Sequence, residues 1–446
     1  MERTEQGKTS RVSVEEATQV TEAAARRERW SWAEAMVWTD RMLAALESGV
    51  KGEKWFSLMD KVYAPKVLRG AWEQVKRNRG ASGVDRVSVE RFEGNAEQYL
   101  QEISAQLKAG TYRVQGVRRV FIEKAGGGER PLGIPTVKDR VVQTALKRVL
   151  EPIFERMFRT ESYGFRPGRS AKDALRAVEG HLKAGYTYVV DADLKSYFDT
   201  IPQDRLMAHV EMRVSDGTLL TLLRQYLEQA VVEGTKTWTP TQGTPQGAVL
   251  SPLLANLYLH PMDEVLGDRY RLVRYADDFV ILCQSQDEAD TALSELRAWV
   301  AENGLILHPE KTHVGDCRQK GQGFEFLGYR FEGGKRWVRK KSWHKVRERI
   351  REETRRTRSG SAEQIADDLS LILRGWFGYF KHAHPRTFGE LDGFVRRRFR
   401  SVLRKRQKRP GHGGTQADHQ RWPNKYFAKI GLFSVSAAYQ HARRSR

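Results

Sequence analysis

Apolar residues recur along this chain with two periods, and each period predicts its own kind of element. Two β-rich runs, 271–275 and 279–283, flank Ala276, Asp277 and Asp278, which predicts a β-hairpin whose turn carries adjacent carboxylates. A third run, 186–194 (YTYVVDADL), is β-branched and aromatic and reads as a strand ending in Asp191 and Asp193. The stretches 117–124 and 130–135 are extended flanks joined by glycines, so they form a second hairpin, and 324–329 (FEFLGY) makes a short strand pair.

The helical period marks the rest. Ser31 and Glu34 form a capping box that opens a helix striped by Trp38, Met42 and Leu46 and stopped by Gly49. Further helices are predicted over 66–77, 89–107, 139–157, 252–265 and 288–303, with Ser170 and Asp173 capping another. Toward the C-terminus Ser361 with Gln364 caps a helix whose Ile365, Leu369, Leu373, Trp376, Phe377 and Phe380 form an apolar face. Thr387 with Glu390 caps a second, burying Leu391, Phe394, Phe399 and Val402 beneath Arg396, Arg397, Arg398 and Arg400. Residues 1 to about 29 are polar and are expected to be disordered.

Composition adds scale and compartment. With 446 residues, 39% of them hydrophobic, the chain can bury two or three cores. It has no apolar run of membrane-spanning length and its start is polar, which predicts a cytoplasmic protein without a signal peptide or membrane contact. Two cysteines, Cys283 and Cys317, fall in or near core strands and read as buried small hydrophobes, too few for a disulfide framework or a cysteine zinc site. Charge is more specific. Residues 335–446 hold 30 Lys+Arg against 9 Asp+Glu, and the chain before them holds 47 of each, so the net charge of +21 sits in the last quarter. A neutral body with a basic, aromatic-laced end is the electrostatic footprint of a nucleic-acid binder.

Asp277 and Asp278 alone would most simply be a solvated turn, because aspartate caps turn backbone. The upstream strand changes that reading. Alternation sends Asp191 and Asp193 to one face, so the strand end can present a carboxylate beside the hairpin turn. Carboxylates converging on one point repel unless a cation sits among them, and two Mg2+ ions about 3.5–4 Å apart, held by shared aspartates, serve in-line nucleotidyl transfer. A P-loop is excluded for the glycines at 126–128, because no Gly-Lys-Ser/Thr ending and no helix follows. Arg166 and Arg169 lie on a Gly/Pro loop and are candidate contacts to template phosphates.

A Tyr-Ala-Asp-Asp hairpin downstream of Asp193-Leu194-Lys195-Ser196-Tyr197-Phe198 resembles a reverse transcriptase, specifically the protein encoded by bacterial group II introns. The resemblance runs from about Trp55 to Phe433. It implies that Asp193 pairs with Asp277 as principal metal ligand, with Asp278 completing the set. It also implies that Lys124 and Arg130 hold the triphosphate, and that Phe198 lies under the sugar and selects dNTPs. Gln246 and Gly247 of Thr-Pro-Gln-Gly would flank the nucleotide, and Leu327 and Gly328 would grip the primer. Lys311 is either a proton donor to the leaving pyrophosphate or a structural salt bridge. The segment 373–380 (LRGWFGYF) resembles the family's maturase signature, which brings Arg396, Arg397, Arg398 and Arg400 in as RNA contacts.

The expected fold is α+β, a right-hand polymerase with fingers, an α/β palm, a helical thumb and a basic helical maturase domain. The boundaries read as 1–54 for a tail and helix, 55–185 for the N-terminal extension and fingers, 186–334 for the palm, 335–409 for thumb and maturase, and 410–446 for a basic C-terminal segment. The expected function is RNA-directed DNA synthesis combined with binding of group II intron RNA for splicing and mobility. The partners would be an RNA template, a DNA primer, dNTPs and target DNA, with no obligatory protein partner. Two alternatives remain at this point: a splicing-only maturase, against which the intact Asp193, Asp277 and Asp278 stand, and a domesticated polymerase serving repair or defence. After Tyr379 the chain has no cysteine, and His412 and His419 have no ligand partner at suitable spacing, so no HNH nuclease and no self-made nick in target DNA are expected.

Overall fold

The structure, a computed structural model, describes residues 22–123 and 128–444. Lys124, Gly126 and Gly127 therefore lie outside the described residues, as does most of the stretch expected to lack order. The described part of that stretch, 22–29, is helical. Glu47 is the reason: it accepts from Arg26 at 3.0 Å, Arg29 at 2.7 Å and the Trp30 indole at 3.1 Å. The next helix begins at Asp40, capped by Thr39, and not at the Ser31 box. Glu34 is drawn away to Arg148 at 2.6 Å, and the turns around it let Trp38 bury completely and donate to the Arg148 carbonyl.

Eleven strands form among the described residues: β1 (Val117–Glu123), β2 (Glu129–Ile134), β3 (Tyr188–Asp193), β4 (Val231–Glu233), β5 (Lys236–Trp238), β6 (Arg271–Tyr275), β7 (Asp278–Cys283), β8 (His313–Asp316), β9 (Phe324–Phe326), β10 (Tyr329–Glu332) and β11 (Lys335–Val338). They assemble into three sheets, ordered β6-β7-β3-β8, β2-β1-β4-β5 and β11-β10-β9. The first sheet is antiparallel throughout and carries the predicted hairpin at its edge. In the second, the predicted hairpin β1–β2 is extended by a parallel pairing of β1 with β4.

Strand alternation sorts the first sheet's side chains between two cores. Val190, Ala192, Phe279, Ile281 and Cys283 face one core, beneath the helices Ser251–Gly267 and Gln286–Glu302. Val189, Val273, Val280 and Leu282 face the other, shared with the helix Ala171–Lys183, the three-stranded sheet and the C-terminal helices. Cys283 and Cys317 are both buried, and burial pushes their thiols up to about 12 and about 11.

Most predicted helices form, and the exceptions have local causes. The helix expected over 89–107 breaks at Asn95 into Val89–Gly94 and Ala96–Lys108, where Gly94 and Asn95 are both poor helix formers. The capping boxes at Ser170 and Ser361 are complete. The Thr387–Glu390 box does not form: the helix Arg386–Arg406 starts after Pro385, Thr387 is buried in its first turn, and Glu390 pairs with Arg386 at 2.8 Å. Beyond Pro410 three short helices fold back, and Trp422, Phe427 and Val435 join the second core. Among the described residues no helix is long and apolar enough to cross a membrane.

Candidate active site

The end of β3 and the β6–β7 turn meet on the second-core face of the first sheet. Asp193 pairs in register with Asp278, and Asp191 with Val280, so Asp191, Asp193 and Asp278 share one face. Asp277 stands in the two-residue turn that Tyr275 and Asp278 close. Its neighbour Ala276 has φ +60°, a left-handed conformation that costs a non-glycine residue about 1–3 kcal/mol and persists where the surroundings impose it.

Burial and mutual repulsion disfavour the charged forms of Asp191, Asp277 and Asp278. Asp191 and Asp278 are each pushed up to about 7, chiefly by burial and then by neighbouring carboxylates, and Asp277 is raised for the same reasons. Four positive or donor groups oppose the repulsion. The Lys311 ammonium pairs with the Asp193 carboxylate, Asp191 accepts from the Glu325 N–H at 3.3 Å with His313 at 3.9 Å, and Asp278 accepts from the Leu327 backbone. As arranged, no three acidic, His or Cys side chains among the described residues form a closed metal cage. The donor chemistry nevertheless suits Mg2+: hard carboxylate oxygens on one sheet end, electrostatically frustrated without a cation.

The segments expected to hold a nucleotide surround this point. Arg130 is exposed on β2, and its charge acts on Asp277. Phe198 is half-buried, edge-on to Tyr197 at 5.5 Å, and its carbonyl accepts from Thr244 at 2.7 Å. Tyr197 is core, its hydroxyl donating to the Ala255 carbonyl at 2.6 Å. The Gln246 amide donates to Asp199 at 2.9 Å, while its carbonyl accepts from Gly133 of β2 at 2.7 Å. Gly247, at φ +103°, lies so close to β2 that a Cβ would sit 2.6 Å from the Gly133 oxygen. Leu327 and Gly328 form the two-residue turn between β9 and β10, both with positive φ, against Asp278 and the Tyr379 hydroxyl, which donates to Leu327 at 2.8 Å.

The arginines separate into buried and exposed. Arg166, expected to touch template phosphate, is buried: its guanidinium pairs with Glu155 at 2.7 Å and donates to the carbonyls of Ser162 and Phe158 at 2.7 and 3.3 Å. Arg169 is half-buried, donates to Thr160 at 2.7 Å and lies over the Tyr163 ring. Arg400, expected to touch RNA, is buried against the Trp422 carbonyl at 3.0 Å and the Phe427 ring. Arg398 closes the end of the helix Lys340–Glu353 by donating to the Thr354 carbonyl at 3.0 Å, and Arg396 lies 3.9 Å from Asp392. Of these four only Arg397 is exposed. Consecutive helical residues fan out by about 100°, so they cannot share one RNA-facing side.

Arg274, Asp263, Asn256 and Gly164 escaped the sequence reading and lie directly beneath the turn. Arg274 is completely buried, pairs with the equally buried Asp263 at 2.6 Å, and donates to Asn256 at 3.0 Å and to the Ala276 carbonyl at 2.9 Å. The signal was present: Arg274 sits at an inward position of an apolar strand, and Asn256 and Asp263 are seven residues apart on one helix face.

A palm sheet with carboxylates at a hairpin turn, faced by a second, fingers sheet and backed by C-terminal helices, defines a right-hand nucleic-acid polymerase. Residues 122–331 match the family described as reverse transcriptase (RNA-dependent DNA polymerase), and 335–422 match the group II intron maturase-specific domain. Protein YkfC of Escherichia coli is 34% identical over 318 residues, covering 61% of this chain and 82% of that protein. The group II intron-encoded protein LtrA of Lactococcus lactis is 36% identical over 201 residues, covering 45% of this chain and 33% of its own length. A solved chain of a partial Cas6-RT-Cas1–Cas2 complex overlaps 59% of this chain and 45% of its own at 25% identity and a TM-score of 0.37. The chain belongs to the reverse transcriptases, RNA-directed DNA polymerases, of the group II intron maturase type.

Proposed function

We propose that this protein extends a DNA primer along an RNA template from dNTPs at Asp193, Asp277 and Asp278, and that its basic C-terminal domain binds group II intron RNA to assist splicing and mobility, with target DNA as the eventual acceptor. The observation that carries the reading is the Asp193–Asp278 register pair, which gathers partly buried carboxylates at one sheet end where a cation would relieve their mutual repulsion. Asp193, Asp277 and Asp278 would hold the two Mg2+ ions, which when bound activate the primer hydroxyl and stabilise the departing oxygen.

The chain's own groups do the positioning. Arg130, whose charge acts on Asp277 from β2, would orient the triphosphate, a role the family resemblance also assigns to Lys124. Phe198 beside the Gly243–Thr244 turn would lie under the sugar and leave no room for a 2′-hydroxyl. The Gln246–Gly247 backbone, fastened to β2, would close the nucleotide's other side. Lys311 neutralises Asp193 as a salt bridge and would be released toward the leaving phosphates when a cation takes that carboxylate. Leu327 and Gly328, wedged between Asp278 and the thumb, would hold the primer end over the turn.

Primer extension on an RNA template decides the matter. Wild type is expected to extend with Mg2+ and to stop on chelation. Asp277→Asn is expected to lose at least about a thousandfold in rate while RNA affinity stays within about tenfold, because only the metal site changes. Near-normal extension by that variant would remove the assignment.

A further inference from the structure

Ala276 is the residue that pitches Asp277 into the site, and its left-handed backbone needs support. Support comes from below the sheet. Arg274 Nη1 donates both to the Ala276 carbonyl at 2.9 Å and to Asn256 Oδ1 at 3.0 Å. Asn256 Nδ2 donates to the Gly164 carbonyl at 2.7 Å, and Gly164 is pressed against the turn so closely that a Cβ there would lie 2.3 Å from the Ala276 nitrogen. The circuit therefore grips Ala276 on two sides. Asp263 neutralises Arg274 side-on through Nε and Nη2, and both side chains are wholly excluded from water. The backbone of Arg274 is also fixed, donating to the Glu161 carbonyl at 2.9 Å and accepting from Tyr163 at 2.8 Å, which covers the edge of the sheet.

A buried ion pair is a poor way to gain stability, since apolar residues of similar volume often serve as well or better. Its placement here matches a different need. We propose that Arg274, Asp263 and Asn256 are positioning residues that hold Ala276 left-handed and so fix the Asp277 carboxylate relative to Asp193. The inference rests on the polymerase reading for its consequence in turnover, but the geometry makes a claim about metal binding that stands apart from turnover.

The test replaces the pair with apolar side chains, Arg274→Met together with Asp263→Leu, and follows the thermal midpoint, single-nucleotide addition, and binding of Mn2+ to the protein alone by electron paramagnetic resonance. The midpoint is expected to stay within a few degrees of wild type. kcat is expected to fall at least about tenfold, with KM for the dNTP moved less than about threefold, because a small misplacement of a reacting group is costly. Mn2+ is expected to bind about tenfold more weakly, as when an outer partner of a ligand is lost. A folded double variant with wild-type kcat and wild-type Mn2+ affinity would overturn the proposal. If that variant does not fold, Asn256→Ala decides on the same readouts: it keeps the ion pair and cuts the link to Gly164. Weaker Mn2+ binding supports the inference, and unchanged binding and turnover overturn it. A wild-type protein that binds Mn2+ but extends no primer would discredit the polymerase reading alone, leaving the Mn2+ comparison to judge the circuit.

Discussion

Arg166 has a side chain 3% exposed, and Glu155 with three backbone carbonyls takes up its donors. Removing one partner of a buried pair strands the other charge, so Arg166→Met should destabilise the fold by about 3–5 kcal/mol. Denaturant unfolding measures that loss. Filter binding should meanwhile find the template affinity of the folded variant unchanged, and a weakened affinity at intact stability would return Arg166 to the interface. Arg166 and Arg397 are chemically the same letter, and only long-range packing makes one a strut and the other a solvent-facing charge. The aspartates proposed to be catalytic were legible because two-residue alternation plus a turn fixes their direction locally. Arg274 was half-legible: its inward strand position announced a buried charge, but not that Asp263 and Asn256 would meet it.

At the scale of elements, the fingers hairpin and the palm are joined where Gly133 donates to the Gln246 carbonyl and Gly247 approaches β2. Gly247→Ala must either strain a φ of +103° or push β2 away, and Arg130 rides on β2. The expected result is a rise of about tenfold in KM for the dNTP with the fold retained, since misplacing a positioning group is felt chiefly where it binds. Single-nucleotide addition at varied dNTP checks it. An unchanged KM would show that the loop can give without moving Arg130. The β6–β7 hairpin and the Ser361 box could be read in advance because their determinants lie within a few residues. The β1–β4 pairing joins residues more than a hundred positions apart, and the Thr387 box failed because packing buried its cap, so neither outcome was written locally.

Across the whole molecule, the basic end divides into a packed part and an open part. Trp422, Phe427 and Val435 belong to the second core, so deleting everything after Pro410 would open that core as well as remove charge. The exposed face of Lys340–Glu353, with Lys340, Lys341, Lys345 and Arg349, is the cleaner probe of RNA binding. Replacing those four with alanine should flatten the dependence of log affinity on log salt by up to about 3 for single-stranded RNA, each lost phosphate contact contributing about 0.7. Titrations at several salt concentrations measure the slope, and a slope identical to wild type would place the RNA footprint on another face. Extension from a preformed primer-template should be little affected.

Cys283 lies against the helices under the palm and Cys317 beside the three-stranded sheet, both as protonated thiols beyond the reach of solvent. The folded enzyme is therefore expected to resist thiol-directed reagents. Ellman's reagent should find essentially no reactive sulfur until denaturant exposes both cysteines, and prompt reaction of the native protein would show that one of the cores opens readily. Phe121→Cys, at an exposed position on the fingers hairpin, would then supply the one reactive handle with both native cysteines left in place. A dye attached there would report whether the fingers hairpin moves relative to the palm during nucleotide addition.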